Sequence, residues 1–272
     1  MPLSRPSPSR PIPVRAPRFE LDESVPRAWL GGSPVASHVV NALSLLFPEG
    51  ERFFIRSVRH YQEQIDEDPE LRARVRGFFG QEGRHGHEHD RHNRMLRAQG
   101  FELDAFFERY QRVGWDWIEP NVPPHLRLAT TVALEHMTAT LAEIALDSPI
   151  LDDAHPEVRR LLLWHACEEI EHKSVAFDVL TRVDPRLGTR AAGLAIGAGV
   201  LLGFFALALA TFLQQERALE PAAPVPRSRT FWKALRATRG TLAAAVVDYL
   251  RPDFHPDQRD NYALAVQHLA SM

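Results

Sequence analysis

Along residues 48–182 apolar positions recur every three or four residues, the spacing of a single helical face. Pro48, Pro69, Pro123, Pro124 and Pro156 stand where a first helical turn tolerates proline, and Gly100 stands as a C-terminal stop. The pattern predicts four long helices near 49–66, 69–98, 124–147 and 156–182, with a shorter one around 103–112. Further helical segments are expected near 229–250 and 256–270, after a Pro-rich link at 221–226. No alternating run of useful length suggests a strand, so the fold class is all-α.

Each of the four long stripes is broken by carboxylate or imidazole. The first reads Phe47, Glu51, Phe54, Val58, Tyr61, Ile65, and the second Leu71, Val75, Phe78, Glu82, His85, His89, His92, Leu96. The third reads Leu128, Val132, Glu135, Ala139, Ala142, Leu146, and the fourth Val158, Leu162, His165, Glu169, His172, Ala176, Val179. A carboxylate on a buried face is costly, because desolvation disfavours its charge. One interruption would be a satisfied structural hydrogen bond; four call for a shared cause and must meet in space.

Counting from the turns tests this. With turns near residues 68 and 151, Glu51 lies 17 residues before the first and His85 lies 17 after it. Glu135 lies 16 before the second turn and Glu169 lies 18 after it. Both helices of an antiparallel hairpin rise about 1.5 Å per residue, so these groups are level. Each hairpin therefore sets one Glu opposite one Glu-x-x-His, the donor set of a dinuclear carboxylate site in a four-helix bundle. The i, i+3 spacing turns each Glu and His of such a pair to the same side. Glu51, Glu82, His85, Glu135, Glu169 and His172 are the candidate metal ligands.

Composition adds three points. A net charge of −3 gives no electrostatic case for nucleic acid, and the single cysteine, Cys167, excludes a disulfide framework or a thiolate zinc site. Residues 1–26 interleave prolines with Arg5, Arg10, Arg15 and Arg18 and read as a basic, disordered tail, weakly attracted to anionic membranes at most. Residues 191–213 carry no charge over 23 positions, 11 of them Gly or Ala. That run is long enough to span a membrane, and its Gly193-xxx-Gly197 also suits close packing in a soluble bundle. The division expected is a tail (1–26), a di-metal bundle (27–183) and an appended apolar helix with C-terminal helices packing on the bundle (184–272).

Over residues 48–180 the chain resembles the ferritin-like di-iron carboxylate superfamily, which implies an antiparallel four-helix bundle. The strings FPEGERFF, FFGQEGRHGHEH, ALEHMTA and WHACEEIEHKSVAFDVL also resemble a bacterial family labelled predicted metal-dependent hydrolase. His165 stands one turn before Glu169, which resembles the p-aminobenzoate N-oxygenase group and implies a seventh protein ligand. His89, one turn beyond His85, is an additional ligand or a supporting group, and His92 reads as structural. His136, Glu168 and Glu171 adjoin proposed ligands and turn about 100° away, so they read as packing, surface or supporting residues. Arg84 and Lys173 are placed to balance charge.

Four carboxylates with several histidines suit two iron ions, with manganese or zinc as substitutes. The leading expectation is an O₂-dependent oxygenase or oxidase that needs an electron donor and acts on a small apolar or amphipathic substrate. The alternative is a hydrolase using a metal-bridged water, and the second alternative a non-catalytic metal-handling or ferroxidase protein. The family resemblance implies the bacterial cytoplasm, with attachment to the inner face of the membrane if 191–213 inserts; a homodimer is left open.

Overall fold

A computed structural model describes residue 10, residues 12–219 and residues 228–272. The described chain is all-α, with helices α1 (Pro34–Ser44), α2 (Phe47–Arg59), α3 (Gln62–Asp66), α4 (Pro69–Ala98), α5 (Asp104–Gln111), α6 (Glu119–Asn121), α7 (Pro124–Asp147), α8 (Pro156–His172), α9 (Val175–Val183), α10 (Leu187–Leu219), α11 (Arg229–Ala237), α12 (Arg239–Tyr249) and α13 (Tyr262–Ala270). A π-helical stretch, Arg112–Ile118, joins α5 to α6.

Local chemistry fixes the ends of α4, the longest helix of the bundle. The Asp68 carboxylate accepts hydrogen bonds from the Glu70 and Leu71 amides, and Pro69 opens the first turn. At the other end Gly100 adopts φ +99°, which lets the Phe101 amide reach the Leu96 carbonyl and the Gly100 amide reach that of Arg97. The bounds of α4 and α7 match the sequence expectation. The first and fourth expected helices are each split, at His60–Tyr61 and at Lys173–Ser174, and the segment expected at 229–250 is broken at Thr238. The expected link at 221–226 lies outside the described residues.

Helix α2 doubles back on α4, and α7 on α8, with α9 continuing the latter line against α4 and α7. Their apolar residues form separate cores on either side of a polar middle. Phe54, Val58, Val75, Phe78, Val132 and Val179 fill one. Met95, Leu96 and Val158 join Leu45, Phe101 and Phe212 in a second, while Ala142, Leu146 and Leu163 meet Ala265 of α13 in a third. The polar side chains between these cores are the interruptions seen in the four stripes.

Two regions differ from expectation. Helix α1, not anticipated, packs on α10 and buries Ser37, His38, Asn41 and Ser44. Residues 12–26, expected to be disordered, lie along the bundle; residues 1–9 and 11 are outside the described residues. Phe19 is buried against Trp164 and Leu161, Val25 is buried beside Trp29, and Arg15 reaches buried carboxylates on α8. An extended segment needs no core of its own when a groove of the bundle supplies one.

Helix α10 is long and apolar enough to cross a membrane, and 17% of its most apolar window is buried. It is seated mainly on α7 and α1. A Cβ at Gly193 would fall 2.3 Å from the Ala129 carbonyl carbon, so the glycine permits backbone contact between α10 and α7. Gly193→Ala is expected to destabilise the protein by about 1–3 kcal/mol through this overlap. Gly199→Ala, facing open space, is expected to be neutral or stabilising by up to about 1 kcal/mol. Chemical denaturation of the two variants checks both values.

Candidate metal centre

The stripes of α2, α4, α7 and α8 bring Glu51, Glu82, His85, Glu135, His165, Glu169 and His172 into one buried cluster, none more than 4% exposed. Ligand atoms of Glu51, His85 and His165 lie within 4.8 Å of one another, as do those of Glu82, Glu135 and His172. A third group, Glu82, His85 and Glu169, overlaps both. Glu169 Oε1 lies 2.9 Å from His165 Nε2, 3.6 Å from His85 Nδ1 and 3.4 Å from His172 Nε2. His172 Nε2 is also 3.2 Å from Glu82 Oε1 and 3.4 Å from Glu135 Oε2. The depth count from the two turns thus agrees with the arrangement in space.

These donors fit a metal. Both carboxylate oxygens of Glu51, Glu82 and Glu135, Oε2 of Glu169, Nδ1 of His85 and Nε2 of His172 are buried and make no hydrogen bond. Such orphaned acceptors are expensive unless a cation takes them up. Burial pushes the Glu51, Glu82 and Glu135 carboxyls up, and neighbouring carboxylates push Glu51 and Glu135 further. Burial opposes ionisation of Glu169 as well, but His172 and His165 hold it well below the usual carboxylate range. His172 is raised against burial by Glu169 and Glu135, whereas burial and then His165 keep His85 neutral.

Every histidine of the cluster is held through its other nitrogen. His85 Nε2 lies 3.1 Å from Glu168 Oε2, and His172 Nδ1 lies 2.9 Å from Gln81 Oε1. His165 Nδ1 lies 2.7 Å from His89 Nε2; His89 Nδ1 lies 2.7 Å from Ser44 Oγ, which is 2.9 Å from His92 Nδ1. His89, weighed as a ligand, thus has both nitrogens occupied by this chain of contacts, and burial lowers the pKa of His89 and of His92, the latter to about 4. Fixing the outer nitrogen fixes the tautomer and aims the inner lone pair.

Several supporting residues escaped the sequence reading. Periodicity does not mark Gln81, Ser44 or Arg15, and it places Glu168 on a neighbouring face. Glu171, expected to turn away from the cluster, is buried and accepts a hydrogen bond from Gln81 Nε2 at 2.7 Å. The available signal was adjacency: Gln81 precedes Glu82 and Glu168 precedes Glu169, and a ligating histidine requires an acceptor nearby. Arg84 instead pairs with Glu88, and Lys173 donates to the Arg259 carbonyl and Asn261. His136 bonds the Ala245 carbonyl, and Cys167 is fully buried with its thiol pushed up to about 12 by burial.

A buried cluster of carboxylates and imidazoles in an all-α bundle defines a candidate metalloprotein. The chain matches, over residues 13–260, the family described as predicted metal-dependent hydrolase, and it belongs to that family. No curated protein and no solved structure matches it. The family favours metal-dependent hydrolysis, ranked second from sequence, over the oxygenase chemistry ranked first.

Two outcomes test the centre. Glu135→Gln keeps the shape of a carboxyl whose ionisation burial and Glu82 oppose, so metal content is expected to fall while the metal-free fold is retained, with any gain in stability growing as pH rises. Thermal unfolding after chelation and elemental analysis read the two effects. Because Glu51, Glu82, Glu135 and His172 have raised pKa values, metal must displace protons, so affinity is expected to rise with pH. Calorimetric titration in buffers of different ionisation enthalpy measures the protons released.

Proposed function

We propose that the chain is a dinuclear metal-dependent hydrolase acting on an ester or amide of an apolar or amphipathic small molecule. The observation that carries this reading is the buried donor set, arranged as two groups sharing no residue, Glu51, His85, His165 and Glu82, Glu135, His172, in which every member but His165 has an orphaned ligand atom. Each group would hold one divalent ion, with Glu169 between them. Ions bound there would polarise a water molecule and a substrate carbonyl.

The chain's own residues set the remaining requirements. A cavity of about 130 Å³, walled by side chains such as Leu43, Phe47, Leu141 and Leu162, ends at His165 and Glu169. Among the described residues its only other polar lining group is Thr138, so it suits an apolar portion of a substrate. Glu169 is the carboxylate kept ionised, and its Oε2 accepts no hydrogen bond. That oxygen is available to hold an ion or a water molecule bound at the cluster.

A second reading, O₂-dependent oxidation at a di-iron centre of ferritin-like type, is favoured by the donor set itself. Four carboxylates with three histidines suit iron or manganese better than zinc. One experiment separates the two. Protein purified without added metal is analysed for metal content, then assayed on p-nitrophenyl esters of increasing acyl length and, after reduction, for O₂ uptake. Hydrolysis abolished by chelation and restored by metal is expected, with kcat/KM rising up to roughly fourfold per methylene that enters the cavity. Oxygen uptake without hydrolysis would replace the first reading by the second.

A further inference from the structure

The half-buried Arg15 lies in the extended segment that crosses α4 and α8. Its Nη1 is 3.0 Å from Glu168 Oε1 and 2.7 Å from Glu171 Oε2, and its Nη2 is 2.7 Å from Glu171 Oε1. Both carboxylates are buried, so this guanidinium is their shared counter-charge. Arg15 is the cation that pairs with both of them at once.

Each carboxylate leads to a different half of the cluster. Glu168 uses its other oxygen to receive the His85 Nε2–H at 3.1 Å, which leaves His85 Nδ1 as the lone pair facing Glu51 and Glu169. Glu171 receives Gln81 Nε2 at 2.7 Å, and the same amide nitrogen donates to the Pro13 carbonyl at 3.0 Å. With both amide protons engaged, Gln81 must turn its Oε1 toward His172. There it accepts the Nδ1–H at 2.9 Å, leaving Nε2 as the inward lone pair. The two histidines are thus held in opposite tautomers by two branches from one arginine.

The segment's path is built into α4. A Cβ at Gly77 would lie 2.5 Å from Ile12 Cβ and 2.6 Å from the Ile12 carbonyl oxygen; one at Gly80 would lie 2.3 Å from Val14 Cγ2. Glycines inside a helix weaken it, yet these two open the track along which residues 12–15 run. Farther on, Phe19 packs on Trp164, whose ring also meets His85 edge-on with centroids 5.0 Å apart.

We propose that Arg15 is a positioning residue for both metal-binding histidines, and that the 12–19 segment is a strap completing the centre from outside the bundle. The proposal rests on the two-ion reading of the cluster. That reading would fail separately, as absence of Zn(II) uptake by the unaltered chain.

The test uses the full chain, Zn(II) as probe, competition with a chelator for affinity, and ¹⁵N chemical shifts of histidine in the Zn(II)-loaded state for tautomers. Arg15→Met is expected to weaken both binding steps by roughly tenfold or more, the range seen when support of a ligating histidine is removed. Arg15→Lys, which keeps charge but not the two-pronged geometry, is expected to restore part of the loss. Glu168→Gln and Gln81→Met should each weaken one step, with altered shifts at His85 and His172 respectively. Gly77→Ala makes α4 a better helix while obstructing the strap, so weakened binding in that variant cannot come from unfolding of α4. Unchanged affinity and unchanged histidine shifts in Arg15→Met would overturn the proposal, as would equal losses at both steps in Glu168→Gln and Gln81→Met.

Discussion

Four glutamates buried within a few ångströms of one another are the constraint on which the rest of the fold depends. Like charges in a poorly solvated space oppose folding, and no single helix can relieve them. The bundle meets this by building apolar cores on both sides of the cluster, from Phe78 and Val132 at one end to Leu96 and Val158 at the other. Burial and the neighbouring carboxylates push Glu51 and Glu135 up and oppose their ionisation, while the nearby histidines favour the charged form of Glu169. The site therefore stores a cost that a cation removes, and stability and metal occupancy are linked.

Around that cluster lies a layer that decides direction rather than charge. Glu168, Gln81 and His89 each occupy the outer nitrogen of one imidazole, so the inner nitrogens of His85, His172 and His165 converge. The apolar cavity ending at His165 and Glu169 reaches the cluster from the side of α1, α7 and α8, opposite in character to the polar strap contacts on α4 and α8. Access reaches His165, while the strap contacts lead to His85 and His172.

Much of the cluster was legible in the sequence because helices convert spacing into position. Glu51, His85, Glu135 and Glu169 could be counted to nearly the same depth, and the count agrees with their placement in one cluster. What failed to show has physical reasons. Helix α1 buries Ser37, His38, Asn41 and Ser44, a polar face that hydrophobic periodicity passes over; Trp29 Nε1 donates to Asn41 Oδ1 and the Leu30 amide to Ser37 Oγ. Arg15 lies in a Pro-rich stretch whose composition indicates disorder, and its partners are 153 and 156 residues away. No local rule connects them. Likewise, the split after His172 coincides with a buried lysine held by residues 259 and 261, a contact made only once the C-terminal helices are in place.

The strap also has a consequence for the order of events in the cell. Residues 12–19 leave the ribosome before any helix of the bundle, yet Glu168 and Glu171 are made some 150 residues later. The segment cannot dock on Glu168 and Glu171 until α8 has been made. Closure of such long-range contacts is slow relative to helix formation. Until then Glu168 and Glu171, which stand behind His85 and Gln81, lack the guanidinium that joins them.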